Sequence, residues 1–298
     1  MSQENEENVE ASGEKLQKAL ANAGFGSRRE MEKYIKAGEV SVNGSPAELG
    51  ARVAPGDKIK WRDNSLVVPE PWKKASRVIL YNKPEGEICS RQDPEGRRTV
   101  FDALPPLKGG RWVSVGRLDI NTSGLILFTD DGELANRLMH PSYEVDREYL
   151  VRIQGEVSDE TIAALLKGVE LEDGPANFTD IQKSRGDSGG SNAWFHCALM
   201  EGRNREVRRL WESQDLRVSR LKRVRFGPVF IPSFVRTGQW IELSDKEKVE
   251  LYKVVELQAP RRKKFNVAET EARQRHVKRL RSSGRKGSHA PKAKPRKR

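Results

Sequence analysis

The sequence predicts an α+β protein in which a small domain precedes a larger one, built on a mixed, mostly antiparallel sheet flanked by helices. Three observations lead to this prediction. Helical patterns and short strands fill residues 14–62, strands and helices intermix over 77–258, and a basic segment poor in large apolar residues covers 259–298. Because strands and helices do not alternate regularly in the second region, a doubly wound parallel sheet is not expected.

Composition excludes several classes of protein before any motif is considered. The chain has 298 residues, a net charge of +12 and two cysteines, Cys89 and Cys197, which are far apart in sequence. Two distant cysteines form no disulfide framework and fit a reducing compartment. No apolar run reaches the roughly 18 residues of a membrane span, and the acidic start MSQENEENVE is unlike a signal peptide. We therefore expect a cytoplasmic, monomeric protein without a membrane segment.

The positive charge is concentrated at the C-terminal end. Residues 259–298 contain 16 lysines and arginines against two glutamates, a net charge of +14, whereas the body 75–258 is near −2. This segment cannot bury enough apolar surface to offset its chain entropy, so we expect a disordered basic tail. The acidic residues 1–13 are also expected to be disordered. The tail is predicted to bind nucleic-acid phosphates, and a solvated tail that aids solubility is the alternative.

The first domain is predicted to contain two helices and a small sheet. The apolar face of the first helix consists of Leu16, Ala19, Leu20 and Ala23. Ser27 and Glu30 then form a capping-box pattern that starts a second helix. The alternation at Val40–Val42 predicts a strand, and Asn43-Gly44 is a hairpin turn signal. Another short strand is expected at 58–61.

The basic residues of this domain lie close to the helix pair and are Lys15, Lys18, Arg28, Arg29, Lys33 and Lys36. Such a set is also typical of a solvated helix surface. However, the pattern GSRRExxxxIxxGxVxVNG at Gly26–Gly44 resembles the S4 RNA-binding domain. The resemblance implies that Ser27, Arg28 and Arg29 face RNA phosphates at the start of the second helix, and Lys33 is assigned to the same RNA-binding set.

Residues 63–76 are predicted to be an interdomain linker that contains a short strand. The strands predicted beyond it are 78–81, 112–115, 125–129, 148–153, 193–199, 216–224 and 239–243. The helices predicted between them are 132–139, 159–167 and 204–213. A region of this length suffices for a substantial hydrophobic core.

One local pattern, VSVGRLDINTSGLILFTDD at Val113–Asp131, carries the clearest chemical signal. Asp119 stands on a loop of turn-forming residues between two apolar strands, a common position for catalytic side chains. Aspartates also commonly cap turns, so this pattern alone leaves a purely structural role for Asp119 open.

Several motifs together resemble one family. The pattern GRLDxxTxGL at Gly116–Leu125 is similar to the catalytic motif of pseudouridine synthases. The further segments that fit the same group are 81–105, 132–142, 147–149 and 201–211. With the S4 pattern in front, the chain resembles pseudouridine synthases of the RsuA/RluB type over roughly residues 14–245. The resemblance implies isomerisation of a uridine in RNA without a metal or redox cofactor, and the sequence contains no metal-ligand motif.

The resemblance assigns three catalytic residues. Asp119 would be the nucleophile, Arg208 would pair with its carboxylate, and Tyr149 would stack on the target uracil and assist proton removal from its C5 atom. Taken singly, a strand tyrosine is more often core packing and a helix arginine more often a surface charge. The functional roles are preferred because the motifs occur together.

Four further residues are predicted to bind the substrate. Val207 would pack beneath the base, and Arg117 would contact the backbone or fill the space that the flipped nucleotide leaves. Arg203 and Arg205 complete the set. Some family members have His-Gln where this chain has Arg205-Glu206, which leaves the roles of these two residues open.

The resemblance implies that the partner is ribosomal RNA of the large subunit, the 23S rRNA near the peptidyl transferase centre, either free or in a pre-ribosomal particle. A second hypothesis is a non-catalytic, S4-type rRNA-binding assembly factor. A pure binder has no need of Asp119, Tyr149 and Arg208 together, so we expect an enzyme.

Overall fold

The computed structural model describes residues 13–69, 76–107, 109–184 and 192–259. The acidic segment predicted at 1–13 lies outside these ranges except for Gly13, and the basic tail predicted at 259–298 lies outside them except for Ala259. Much of the predicted linker also lies outside, at 70–75. Within the described ranges, no helix has both the length and the apolar composition to cross a membrane.

The first domain packs two helices, α1 (Leu16–Asn22) and α2 (Arg28–Lys36), against a small sheet. Its strands are β1 (Glu14–Lys15), β2 (Val40–Val42), β3 (Ser45–Pro46), β4 (Arg52–Val53), β5 (Lys58–Trp61) and β6 (Asn64–Val67). Four of them form the sheet β3-β2-β5-β6, and β1 pairs with β4. The predicted capping box is present, because Ser27 Oγ accepts a hydrogen bond from the Glu30 N–H and the Glu30 carboxylate accepts one from the Ser27 N–H.

The strand predicted within the linker belongs to the first domain. β6 pairs antiparallel with β5, and Val68 packs into the hydrophobic core beneath the sheet. The two-residue turn between these strands uses Arg62 at a φ of 53°. The sheet therefore extends past the predicted boundary at 62, because the turn brings β6 back beside β5.

The second domain is built on a nine-stranded sheet. Its strands, with those of a separate hairpin, are β7 (Val78–Lys83), β8 (Val113–Val115), β9 (Ser123–Thr129), β10 (Arg147–Gln154), β11 (Val169–Leu171), β12 (Gly174–Ala176), β13 (Asp180–Lys183), β14 (Asn192–Leu199), β15 (Arg217–Phe226), β16 (Val229–Phe230) and β17 (Trp240–Glu242). The sheet order is β13-β14-β10-β15-β9-β7-β17, with β8 paired to β9 and β16 to β15. Within the described residues, only β9 and β15 pair in parallel. This arrangement confirms the predicted α+β class and the mixed, mostly antiparallel sheet.

Four helices cover this sheet: α3 (Gly132–Met139), α4 (Asp159–Lys167), α5 (Glu206–Glu212) and α6 (Asp245–Val254). One core cluster packs α3 and α6 against β7 and β9, and a second packs α4 and α5 against β10 and β14. A third lies on the opposite face of β7 and β9, around Phe128 and Trp112. Because β7 and β9 are buried on both faces, each contains a continuous apolar run, at 78–81 and 125–128, instead of an alternating pattern.

The helix α6 was not predicted, although its sequence contains the signal. Ser244 and Glu247 form a capping box at its start, with Ser244 Oγ accepting from the Glu247 N–H. The β11–β12 hairpin was also missed, because its three-residue strands are too short for a periodic pattern.

The strands β9 and β15 approach each other at Gly124 so closely that no side chain fits between them. A Cβ atom at Gly124 would lie 2.2 Å from the carbonyl oxygen of Arg223 and 2.8 Å from its nitrogen. The φ of Gly124 is +102°, a conformation that side chains also disfavour. This glycine of the GRLDxxTxGL pattern is therefore required by the sheet itself.

We expect Gly124→Ala to lower the free energy of unfolding by roughly 3 kcal/mol or more, because the added methyl group forces the parallel strands apart. Urea denaturation of the purified protein measures this loss. The matched control is Gly238→Ala, where φ is +81° and no atom lies within 4 Å of the added Cβ. There only the φ strain of about 1 kcal/mol is expected. Equal losses in the two variants would contradict the steric argument.

Candidate active site

A cavity of about 500 Å³ lies where the loop before β9, the strands β10 and β15, and the start of α5 meet. It brings together six of the seven predicted catalytic and substrate-binding residues. These six lining residues are Arg117, Asp119, Tyr149, Arg203, Arg205 and Val207. Arg208 lies behind the lining, on α5. Residues distant in sequence thus converge on one site.

The buried ammonium group of Lys83 fixes the loop that carries Asp119. Its Nζ donates hydrogen bonds to the backbone oxygens of Asp119, Thr122 and Pro84, at 3.1, 2.8 and 3.0 Å. Burial lowers the pKa of Lys83. We did not predict this role, although a lysine that ends the otherwise largely apolar strand β7 is an unusual feature of the sequence.

The remaining backbone of this loop is held as well. The N–H of Gly86 donates to the Ile120 oxygen at 2.7 Å, and Arg208 Nη2 donates to the Asn121 oxygen at 2.9 Å. The Leu118 N–H lies 3.4 Å from Cys89 Sγ. By contrast, the Asp119 carboxylate has no hydrogen bond within the described residues, so it does not act as a turn cap there. The loop is fixed through its main chain and leaves this carboxylate available in the cavity.

The predicted pair between Arg208 and Asp119 is not formed. Nη1 and Nη2 of Arg208 donate to the oxygens of Val218 and Asn121, and Nε is buried without a partner among the described residues. Burial lowers the pKa of Arg208, the neighbouring Arg205 lowers it further, and the charge of Asp119 raises it. The two groups therefore interact through space, while the guanidinium holds the loop through a main-chain contact.

The hydrogen-bond donors of the Arg203 guanidinium are used in contacts within the protein, which leaves few of them for a ligand in the cavity. Its guanidinium donates to Glu201, to Asp173 and to the oxygens of Gly174 and Pro175. The prediction that Arg203 binds substrate overlooked these acceptors, because the β11–β12 hairpin that carries three of them was not foreseen. The contacts favour a role in attaching this hairpin to the 201–211 segment.

The remaining predicted site residues differ in how deeply they are buried. Tyr149 and Val207 are buried in the same core cluster and also line the cavity, so core packing and cavity lining coincide in them. Arg117 and Arg205 are exposed at the rim. Arg205 precedes α5 at a φ of 50°, with its guanidinium 3.6 Å from the carboxylate of Glu212.

Three buried charged side chains that we did not assign also line the cavity: Arg147, Glu206 and Arg223. Burial raises the pKa of Glu206, and the Arg203 N–H, which donates to its carboxylate at 2.9 Å, opposes that rise. The alternation of β10 contains one usable signal, since it places Arg147 on the same face as Tyr149.

The predicted RNA-binding residues of the first domain lie at the start of α2. The Ser27 hydroxyl is engaged in the capping box, whereas Arg28, Arg29 and Lys33 are exposed. This domain contacts the second one nearby, where Arg111 Nη1 donates to the Gly26 oxygen at 3.1 Å.

Comparisons with known proteins agree with this architecture. Residues 77–213 match the RNA pseudouridylate synthase family, and residues 14–59 match the S4 domain. A solved structure described as a pseudouridylate synthase superposes with a TM-score of 0.55 at 26% identity, covering 80% of this chain and 99% of that one.

Curated relatives are closer in sequence. Ribosomal large subunit pseudouridine synthase B of Pseudomonas aeruginosa is 62% identical over 79% of this chain, and the match spans only 61% of that relative's length. The proteins of that name from Vibrio cholerae and Escherichia coli K12 are 54% and 56% identical, over 79% and 84% of their lengths. The corresponding shares of this chain are 86% and 82%. The chain therefore belongs to the RNA pseudouridylate synthase family and carries an S4 domain before its synthase domain.

Proposed function

We propose that this protein converts a uridine of large-subunit ribosomal RNA into pseudouridine. The observation that carries the proposal is the cavity in which the Asp119 carboxylate, on a loop fixed through its main chain, shares the lining with the Tyr149 ring. Family membership adds the reaction class, and the names of the relatives add the ribosomal substrate.

The reaction needs no external reactant. The bond from N1 of uracil to C1′ of ribose breaks, uracil turns, and a bond from C5 to C1′ forms. C5 then loses its proton and N1 gains one, so atoms and electrons balance. Asp119 either attacks C1′ as a nucleophile and is displaced when C5 bonds to C1′, or removes the C2′ proton to give a glycal and returns it when C5 bonds to C1′. Tyr149 stacks on the base and assists removal of the C5 proton.

Other residues of the site position the Asp119 carboxylate and the flipped nucleotide. Lys83 binds the main-chain oxygens of Asp119 and Thr122, and Arg208 binds that of Asn121, so that the Asp119 carboxylate meets the sugar in a fixed orientation. Val207 packs against the base, and Arg117 at the rim contacts the RNA backbone from which the nucleotide has been flipped. We assign the same contact to the exposed guanidinium of Arg205, which directly precedes α5.

RNA recognition falls largely outside the cavity. Unstacking a base costs a few kcal/mol, which phosphate contacts must offset. We assign these contacts to Arg28, Arg29 and Lys33 of the S4 domain and to the basic segment 259–298, with its net charge of +14. We also propose that the protein binds 23S rRNA, either free or in a pre-ribosomal particle. It is proposed to act in the cytoplasm as a monomer.

Asp119→Asn is expected to abolish pseudouridine formation, because the amide cannot act as a nucleophile. Pseudouridine mapping in the rRNA of a deletion strain that expresses the variant measures this. The matched control, Asp215→Asn, changes an exposed aspartate that does not line the cavity and should restore modification. Full restoration by Asp119→Asn would contradict the mechanism. Lack of activity in purified wild-type protein on rRNA would instead favour an assembly factor.

Tyr149→Phe is expected to lower kcat by roughly 100-fold or more, because the hydroxyl that assists proton removal is lost. The affinity for RNA should stay within about twofold, since the stacking ring remains. Single-turnover kinetics and filter binding separate the two quantities. Tyr143→Phe, at a tyrosine outside the cavity lining, is the control. An unchanged kcat would limit Tyr149 to stacking.

Replacing both Arg28 and Arg29 by glutamine is expected to weaken RNA binding and to make its salt dependence shallower. Each phosphate contact contributes roughly 0.7 to 0.9 to the slope of log K against log salt concentration. The control is Lys246→Gln, an exposed lysine of α6 far along the chain from the S4 domain. If the slope did not change, the start of α2 would not contact phosphates.

A further inference from the structure

Two arginines lie side by side on the floor of the cavity. In the β10–β15 pair, Tyr149 is opposite Arg223 and Arg147 is opposite Phe226, so all four side chains share one face. The guanidinium carbons of Arg147 and Arg223 lie 5.1 and 5.3 Å from the centre of the Phe226 ring. Both arginines line the cavity together with Asp119.

Both guanidinium groups are buried without a carboxylate partner. Arg147 is 8% exposed and Arg223 is 3% exposed, and within the described residues neither forms an ion pair. Arg147 Nη1 donates to the oxygens of Val145 and Met200, at 2.7 and 2.6 Å. Arg223 Nε donates to the Leu125 oxygen at 2.7 Å, while its Nη2 is buried with no partner among the described residues.

These positive charges are incompletely compensated. Burial lowers the pKa of Arg147, and the charge of Arg223 lowers it further, against the opposing effects of Tyr149 and Glu206. The charge of Glu206, an acid of the lining, acts on Arg147, but the Glu206 carboxylate accepts from the Arg203 N–H and burial raises its pKa. Two adjacent buried cations without a bound anion are unfavourable, since main-chain oxygens supply only partial charge. The arrangement is suited to a ligand that brings negative charge.

We propose that Arg147 and Arg223 form an anion-binding subsite beside Tyr149, which binds negatively charged oxygen atoms of the flipped uridine nucleotide. This inference rests on the proposed function and extends it to two residues to which the sequence analysis assigned no role. Two parts of the nucleotide carry such oxygens. When the bond from N1 to C1′ breaks, the electron pair stays on uracil and spreads over N1, O2 and O4 until C5 bonds to C1′. The phosphate groups carry the other charged oxygens.

The test compares Arg223→Met and Arg223→Lys with the wild type in the full-length protein. Arg220→Met serves as the matched control, because Arg220 lies on the same strand, is exposed and does not line the cavity. Three quantities are measured: kcat at saturating RNA, the Kd for RNA at several salt concentrations in an Asp119→Asn background, and the midpoint of thermal unfolding. The last reports whether the loss of the contact with Leu125 disturbs the sheet.

The two sources of charge give different results. If the subsite stabilises departing uracil, Arg223→Met lowers kcat by roughly 100-fold with little change in Kd, and Arg223→Lys recovers part of the loss. The loss is then smaller when the rate of N1–C1′ bond cleavage is measured in RNA containing 5-fluorouridine, whose base leaves more readily as an anion but has no C5 proton with which to complete the reaction. If the subsite binds a phosphate, Kd rises and the salt slope becomes shallower by about one contact, while kcat is retained.

Other outcomes overturn the proposal. One is an Arg223→Met variant with wild-type kcat and Kd. Another is that Arg223→Met and Arg223→Lys lose activity equally and both unfold at a lower temperature than the wild type. That result would show that Arg223 only supports the strands. If wild type and Arg220→Met make no pseudouridine, the proposed function fails independently. The subsite is then tested by thermal protection with uridine 3′-monophosphate or ionised 5-fluorouracil, which Arg223→Met should abolish.

Discussion

The parallel contact between β9 and β15 joins the two halves of the sheet, and the site depends on it. One half, β7 and β9, carries the loop with Asp119, while the other, β10 and β15, carries Tyr149 and Arg223. The contact is possible only because Gly124 has no side chain. The tyrosine and the carboxylate, 30 positions apart in sequence, share one cavity because these strands lie side by side.

Buried cations hold the architecture of the site through main-chain oxygens. Lys83 and Arg208 bind the backbone of the Asp119 loop, Arg147 binds the Val145 oxygen, and Arg223 binds the Leu125 oxygen of β9. The half-buried Arg203 binds the β11–β12 hairpin in the same way. A positive group that donates to several carbonyl oxygens fixes their positions without neutralising its own charge. The cavity therefore has a strongly positive lining, with five arginines against Asp119 and Glu206. Such a lining suits the negatively charged substrate that RNA presents.

Several features of the molecule were predictable because their causes are local. The helices at 132–139 and 159–167 have the predicted bounds, and the capping box at Ser27 is present. The convergence of Asp119, Tyr149 and Val207 followed from a resemblance of whole motifs, which reflects a shared fold and not a periodic pattern. The missed contacts of Arg203 and Arg208 have another origin. Most of their acceptors are main-chain oxygens outside the 201–211 segment, such as those of Gly174 and Asn121, and residue type alone does not identify these.

The sequence by itself determined the fold class, the two-part organisation of the folded chain and the carboxylate loop, because turn chemistry, periodicity and motif spacing act over short stretches of chain. Only the tertiary structure decided how far each arginine of the cavity lining is already hydrogen-bonded to other groups of the protein. This depends on which oxygens surround each guanidinium after the sheet has formed. Arg203 and Arg223 are indistinguishable as sequence letters, yet one is surrounded by acceptors and the other keeps a buried nitrogen without a partner.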